Sequence, residues 1–94
     1  MDEEIVNEKI EQIHEHLTAT QEHPVERAAS RWIGEAEAIA RDLVEAEADS
    51  EVVHRRLRHV LELLDNVDET GDEMANEHVT TAMHVARDVV DSIE

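Results

Sequence analysis

Cysteine, phenylalanine and tyrosine are absent from the sequence, and its 94 residues include one tryptophan, one proline and two glycines. A chain without cysteine forms no disulfide, no thiolate zinc site and no iron–sulfur cluster, and it has no cysteine nucleophile. With one aromatic residue, it has few of the large rigid side chains that dominate cores and interfaces. The core must therefore be built from valine, alanine, isoleucine and leucine, which is typical of a seam between helices.

Long apolar runs are also missing. No segment approaches the 18 consecutive apolar residues that indicate a membrane-spanning helix. The first residues, MDEEIVNEK, are acidic and lack the apolar stretch of a signal peptide. We therefore expect a cytoplasmic protein that makes no contact with a membrane.

Charge is the most unusual property of the composition. Acidic residues outnumber basic ones by 25 to 8, which gives a formal net charge of −17. Repulsion among these charges opposes a compact fold in dilute buffer, whereas molar salt shortens the Debye length to about 3 Å and screens most of that repulsion. Seven of the eight basic residues are arginine. The composition resembles that of small helical proteins of extremely halophilic archaea. This resemblance covers the whole chain, rests on no motif and implies no functional family. It does imply a salt-loaded cytoplasm, with solvent cations at the acidic surface.

Apolar residues recur at helical spacing in four segments. These predicted helices cover residues 2–20, 24–47, 50–68 and 73–93, within one domain that spans 1–94. Pro24 suits the first position of the second helix, and Asp49 or Ser50 can cap the third. Gly71 suits the residue that follows a helix, and Asp72 can cap the fourth.

Short connections between amphipathic helices predict an all-α fold, an antiparallel up-down-up-down four-helix bundle. The first helix has the narrowest apolar stripe, so it could instead lie peripheral to a three-helix core or face another subunit. The helical spacing of apolar residues in the second helix continues without interruption through Ser50 to Val53. One long helix from 24 to 68 is therefore an alternative. We favour a break, because serine caps a helix better than it fills a seam. Trp32 lies in the apolar stripe of the second helix and is expected to be buried.

The segment HRRLRH, residues 54–59, concentrates positive charge in this acidic chain. Its candidate interaction residues are Arg55, Arg56, Arg58 and His59. Arg55 follows Glu51 by four positions and Arg58 precedes Glu62 by four, so an ordinary salt-bridged helix surface explains most of the cluster. Arg56 has valines at both of these spacings, which favours a partner on another helix or another molecule.

Metal binding and catalysis have weak support in the sequence. The segments Glu11–His14 and Glu51–His54 both read Glu-x-x-His, the spacing of di-iron bundles. The composition alone supplies roughly one such pair by chance, and their side chains are expected to face outward. We recognise no nucleophile–base motif and no glycine-rich phosphate loop. We therefore predict no metal, no cofactor and no enzymatic activity. The seven histidines are interpreted as surface residues, with a pH-sensitive interface as the alternative.

Two functions from different classes remain. The first is a helical-bundle interaction protein that forms a homo-oligomer, such as a dimer, or docks a protein partner. It would use the first helix, the flank at Arg56, and Ile33 with Gly34, since a mid-helix glycine on the outer face allows another helix to approach. The second is an anion- or nucleotide-binding regulator that uses Arg55 to Arg58. Nucleic acid is disfavoured, because the chain lacks excess positive charge and aromatic residues for stacking.

Overall fold

A computed structural model describes residues 2–46 and 48–93, and all regular structure within these ranges is helical. The helices are α1 (Glu3–Ala19), α2 (Arg27–Glu45), α3 (Ser50–Asp65) and α4 (Glu73–Ile93), with a 3-10 turn at Thr20–Glu22. The molecule measures 36 × 20 × 17 Å. Its long dimension is close to the length of α4, because 21 helical residues rise about 32 Å. No helix within the described ranges is long and apolar enough to cross a membrane.

Aspartate caps begin three of the four helices. Each accepts a hydrogen bond at Oδ1 from the backbone N–H three residues later, which satisfies an amide that the first turn leaves unpaired. The capping residues are Asp2, Asp49 and Asp72, with distances of 2.9, 3.0 and 2.9 Å. The Asp49–Ser50 start of α3 was predicted from the sequence and is confirmed.

The start of α2 differs from the prediction. The helix begins at Arg27, three residues after Pro24, and no side chain caps it. The intervening Glu26 is not helical, with a ψ of 147°, and its backbone N–H donates to the carbonyl of Thr70 at 2.7 Å. This bond to the segment before α4 holds the chain in a conformation that a helix starting at Pro24 could not adopt.

The connection between α2 and α3 contains a true break. α2 ends at Glu45, and Ala46 has the extended ψ of 142°. α3 does not begin until Ser50. The alternative of one helix from 24 to 68 is therefore wrong.

The core is a single apolar cluster to which all four helices contribute. α1 packs against α2 and α4, and α3 packs against the same two helices. The inward residues of α1 are Ile10, Ile13 and Leu17, each at most 2% exposed. The alternative of a peripheral first helix is therefore wrong, because these three residues are buried against the other helices.

The register of α2 also differs in detail. Trp32 is half-buried at the edge of the core, and the Arg31 guanidinium lies 5.6 Å from its ring centre. Ile33, the next residue, is 2% exposed and belongs to the core. The helix is therefore rotated so that the isoleucine faces the centre of the core while the tryptophan covers its margin.

The two ends of the molecule are built differently. At one end, which we call the open end, a depression of about 280 Å³ lies among the start of α1, the start of α3 and the last turn of α4. Its apolar lining consists of Val6, Ala48, Val53 and Ile93. At the opposite end, the tied end, polar bonds join the segments before α2 and α4. Thr20 and Thr70 are both buried there.

Candidate functional site

The α3 helix positions the candidate interaction residues through its apolar stripe. Leu57, Val60 and Leu64 are fully buried against the neighbouring helices. The remaining side of the helix is therefore turned to solvent. It carries Arg55, Arg56, Arg58 and His59, all of them exposed. We call these four residues the basic face.

A shallow depression of about 660 Å³ runs over the basic face. Its lining residues are His54, Arg55, Arg56, Arg58, His59 and Glu62. All six belong to α3, so no second helix walls the depression. The arrangement is an open, charged surface that a flat or extended partner could contact, and it cannot enclose a small molecule.

The predicted ion pairs on this surface are not formed. Within residues 2–46 and 48–93, contacts shorter than 4.0 Å between basic and acidic side chains join Glu37 to His14 and Arg41, and His23 to Asp72. None involves Arg55, Arg56 or Arg58. The reason is that exposed ion pairs gain little energy and restrict two long side chains. The three guanidinium groups are thus available to an external carboxylate or phosphate.

A second depression, of about 310 Å³, adjoins the basic face between α3 and α4. We call it the α3–α4 groove, and its lining residues are Arg58, Leu61, Glu62, Arg87, Val90 and Asp91. Leu61 is half-buried and Val90 is 6% exposed, so the groove has an apolar floor between charged rims. The spacing of Arg87 and Asp91 matches that of Arg58 and Glu62, but spacing within each helix does not show that the two pairs lie side by side.

Ile33 and Gly34 do not form the surface that the sequence suggested. Ile33 is buried within its own chain, so it cannot offer apolar contact to a partner. Gly34 is exposed, and a Cβ added there would meet nothing within 4 Å. The glycine therefore serves no close helix approach within the chain, and the expectation for Ile33 is wrong.

A polar contact joins α1 to α2 near the middle of the molecule. Glu37 is only 9% exposed, and its Oε1 lies 3.4 Å from His14 Nε2 and 3.6 Å from Arg41 Nη1. Glu37 follows Ala36, which is fully buried in the core, so the carboxylate lies at the edge of the apolar stripe of α2. The Glu-x-x-His spacing pairs His14 with Glu11 on the same helix, whereas the carboxylate that His14 contacts in the structure is that of Glu37 on α2. In the part of the chain that the structure describes, no three His, Asp or Glu residues are arranged to hold a metal ion.

Three histidines come together at the tied end. The Nδ1 atoms of His16 and His78 lie 3.0 Å apart, which places a hydrogen bond between α1 and α4. The His23 ring centre is 6.1 Å from that of His78, and its Nδ1 is 3.4 Å from Asp72 Oδ1. All three rings are half-buried, which corrects their interpretation as surface residues. The first pair is 62 residues apart in sequence, so helix periodicity gave no signal for it.

These features define the class of protein: four helices around an aliphatic core, with an exposed arginine-rich face on an acidic molecule. The sequence signature of a domain of unknown function, DUF8152, matches residues 9–94. The chain therefore belongs to the DUF8152 family, and the match includes all of α2, α3 and α4. No curated protein and no solved structure matches the chain significantly.

Proposed function

We propose that this chain is a non-catalytic interaction protein, which self-associates or docks a protein partner in the cytoplasm of a high-salt cell. Its scaffold is an antiparallel up-down-up-down bundle. The packing of α1 and α3 against both α2 and α4 supports that topology. The open end supports it too, since the starts of α1 and α3 meet the last turn of α4 there.

The observation that carries the proposal is the basic face. Three exposed arginines lie within one turn of α3 and form no ion pair with a described residue, although the chain carries 25 acidic residues. A planar guanidinium binds a carboxylate through two parallel hydrogen bonds, which gives both affinity and orientation. The basic face is thus the part of the surface where an acidic protein meets the least repulsion.

The proposed association depends on the salt concentration. Two chains of charge −17 repel each other at long range in dilute buffer. Molar salt reduces the Debye length to about 3 Å, which removes long-range repulsion but leaves contacts at hydrogen-bond distance less affected. A high-salt cytoplasm therefore permits an association that dilute buffer suppresses.

The alternative function is an anion- or nucleotide-binding regulator, and the clustering of Arg55, Arg56 and Arg58 supports it. Two observations rank it second. The depression over these residues is formed by one helix and includes the carboxylate of Glu62. A nucleic-acid base would also find no aromatic partner, because Trp32 lies on α2.

Light scattering behind size exclusion in about 2 M KCl tests the proposal. We expect a wild-type mass of two 10.7 kDa chains, or a complex with a partner. Arg56→Gln/Arg58→Gln should lower that mass to one chain, whereas the matched control Arg27→Gln/Arg31→Gln on α2 should leave it unchanged. A wild-type monomer at all concentrations would rule out self-association. Saturable phosphate or ATP binding that Arg56→Gln/Arg58→Gln abolishes would establish the regulator instead.

A further inference from the structure

The α3–α4 groove repeats one pattern on both of its helices. Residues 58–62 read RHVLE and residues 87–91 read RDVVD. Each segment places an arginine, a valine two positions later, an aliphatic residue and then a carboxylate. The valines at the third position of each segment, Val60 and Val89, are fully buried, while the arginine, the aliphatic residue and the carboxylate line the groove.

The charged groups of this pattern are not paired with any other residue that the structure describes. Arg58 and Glu62 form no ion pair shorter than 4.0 Å with any described residue, and neither do Arg87 and Asp91. Each helix therefore presents a positive and a negative group one turn apart, about 6 Å along its axis. Leu61 lies between the first two charges and is half-buried.

From this geometry we infer that the α3–α4 groove binds a second copy of this chain, related by a two-fold axis that lies in the contact plane and runs perpendicular to α3. Such an axis reverses the direction of the second α3 and lays it over the first. Arg58 then faces the partner's Glu62, and Glu62 faces the partner's Arg58. The same operation pairs Arg87 with the partner's Asp91.

The apolar residues fit the same arrangement. Leu61 lies close to the axis, so the two copies of its side chain meet there and exclude water from the charged pairs on either side. Val90 provides the equivalent floor on α4. A two-fold contact must be complementary to itself, and here the complementarity follows from a spacing that each helix fixes by its own geometry. A partner with uniform negative charge would leave Glu62 and Asp91 opposed by like charges.

This inference rests on the proposed self-association and specifies its surface. The test measures the dimer dissociation constant by sedimentation equilibrium in KCl at the concentration where the wild type associates. In the Arg58→Glu variant, acidic groups at positions 58 and 62 face acidic groups of the second copy. In the Glu62→Arg variant, basic groups at both positions face basic groups. We expect each variant alone to weaken the dimer about tenfold or more. An equimolar mixture of the two should restore wild-type affinity, because each carries the charges that the other lacks.

A matched control uses a pair of the same order and spacing on another helix. Arg31 and Glu35 are both exposed on α2 and lie outside the groove. Arg31→Glu and Glu35→Arg should leave the dissociation constant unchanged, alone and mixed. Circular dichroism of every variant checks that the helices remain folded.

The outcomes separate the two levels of the proposal. A wild-type dimer whose affinity is insensitive to Arg58→Glu and Glu62→Arg refutes the groove and leaves self-association standing. A mixture that fails to recover affinity refutes the two-fold orientation. A wild type that stays monomeric refutes self-association and this contact with it.

Discussion

Replacing Ile33 with alanine separates a core role from an interface role for this residue. The side chain is 2% exposed and lies within the apolar cluster. Truncation to alanine removes three carbon groups, each worth about 0.8 kcal/mol of transfer free energy, or roughly 2.4 kcal/mol in total. The cavity that remains adds a further loss, so we expect destabilisation by about 3–4 kcal/mol. A domain of this size is stabilised by only about 5–15 kcal/mol.

Urea unfolding in high salt, followed by far-ultraviolet circular dichroism, measures this change. The neighbouring variant Gly34→Ala is the matched control, because an added Cβ meets nothing within 4 Å. Alanine is favoured over glycine in an exposed helix by about 1 kcal/mol, so this variant should become more stable while Ile33→Ala becomes less so. If Ile33→Ala unfolds at the wild-type urea concentration and instead loses association, the assignment of Ile33 to the core is wrong.

Three further predictions concern the tied end and the charge. Gly71 has a φ of +86°, and a Cβ added there would lie 2.9 Å from Glu26 Cγ. Gly71→Ala should therefore lower the free energy of unfolding by about 1–2 kcal/mol, measured as a fall in Tm. An unchanged Tm would contradict this expected strain. Thr70→Val removes a buried hydroxyl that lies 2.7 Å from Asn76 Oδ1, and urea unfolding should show a loss of about 1–3 kcal/mol. A loss of stability below about 0.5 kcal/mol would mean that the hydroxyl is dispensable. Because the net charge is −17, Tm should rise between dilute buffer and molar KCl; a flat Tm would refute the salt argument.

The helices were predictable where local chemistry decides them. Asp49 accepts the Val52 N–H as a cap should, and the break before α3 follows from it. The start of α2 was not predictable, because the bond between Glu26 and Thr70 joins segments more than 40 residues apart. Local propensity at Pro24 carries no information about such a contact.

The candidate site was predictable in outline only. The spacing of Leu57 and Val60 on α3 fixes which side faces outward, so the exposure of the arginines follows from the sequence. Whether Arg55 actually pairs with Glu51 depends on rotamer entropy and hydration, which spacing does not reveal. Adjacent Trp32 and Ile33 could each have faced the core, since one step around a helix turns about 100°. Packing of α2 against α1 and α3 selects between them.

The contrast between the two ends gives the molecule a gradient of local stability along its long axis. At the tied end, opening must separate His16 from His78 and also break the backbone bond between Glu26 and Thr70. At the open end, half-buried apolar residues such as Ile93 cover a depression. Fluctuations should therefore begin at the open end, where amide protons exchange with solvent fastest. Because Val90 and Asp91 lie in the last turn of α4, such fraying should reach the α3–α4 groove from its α4 side first.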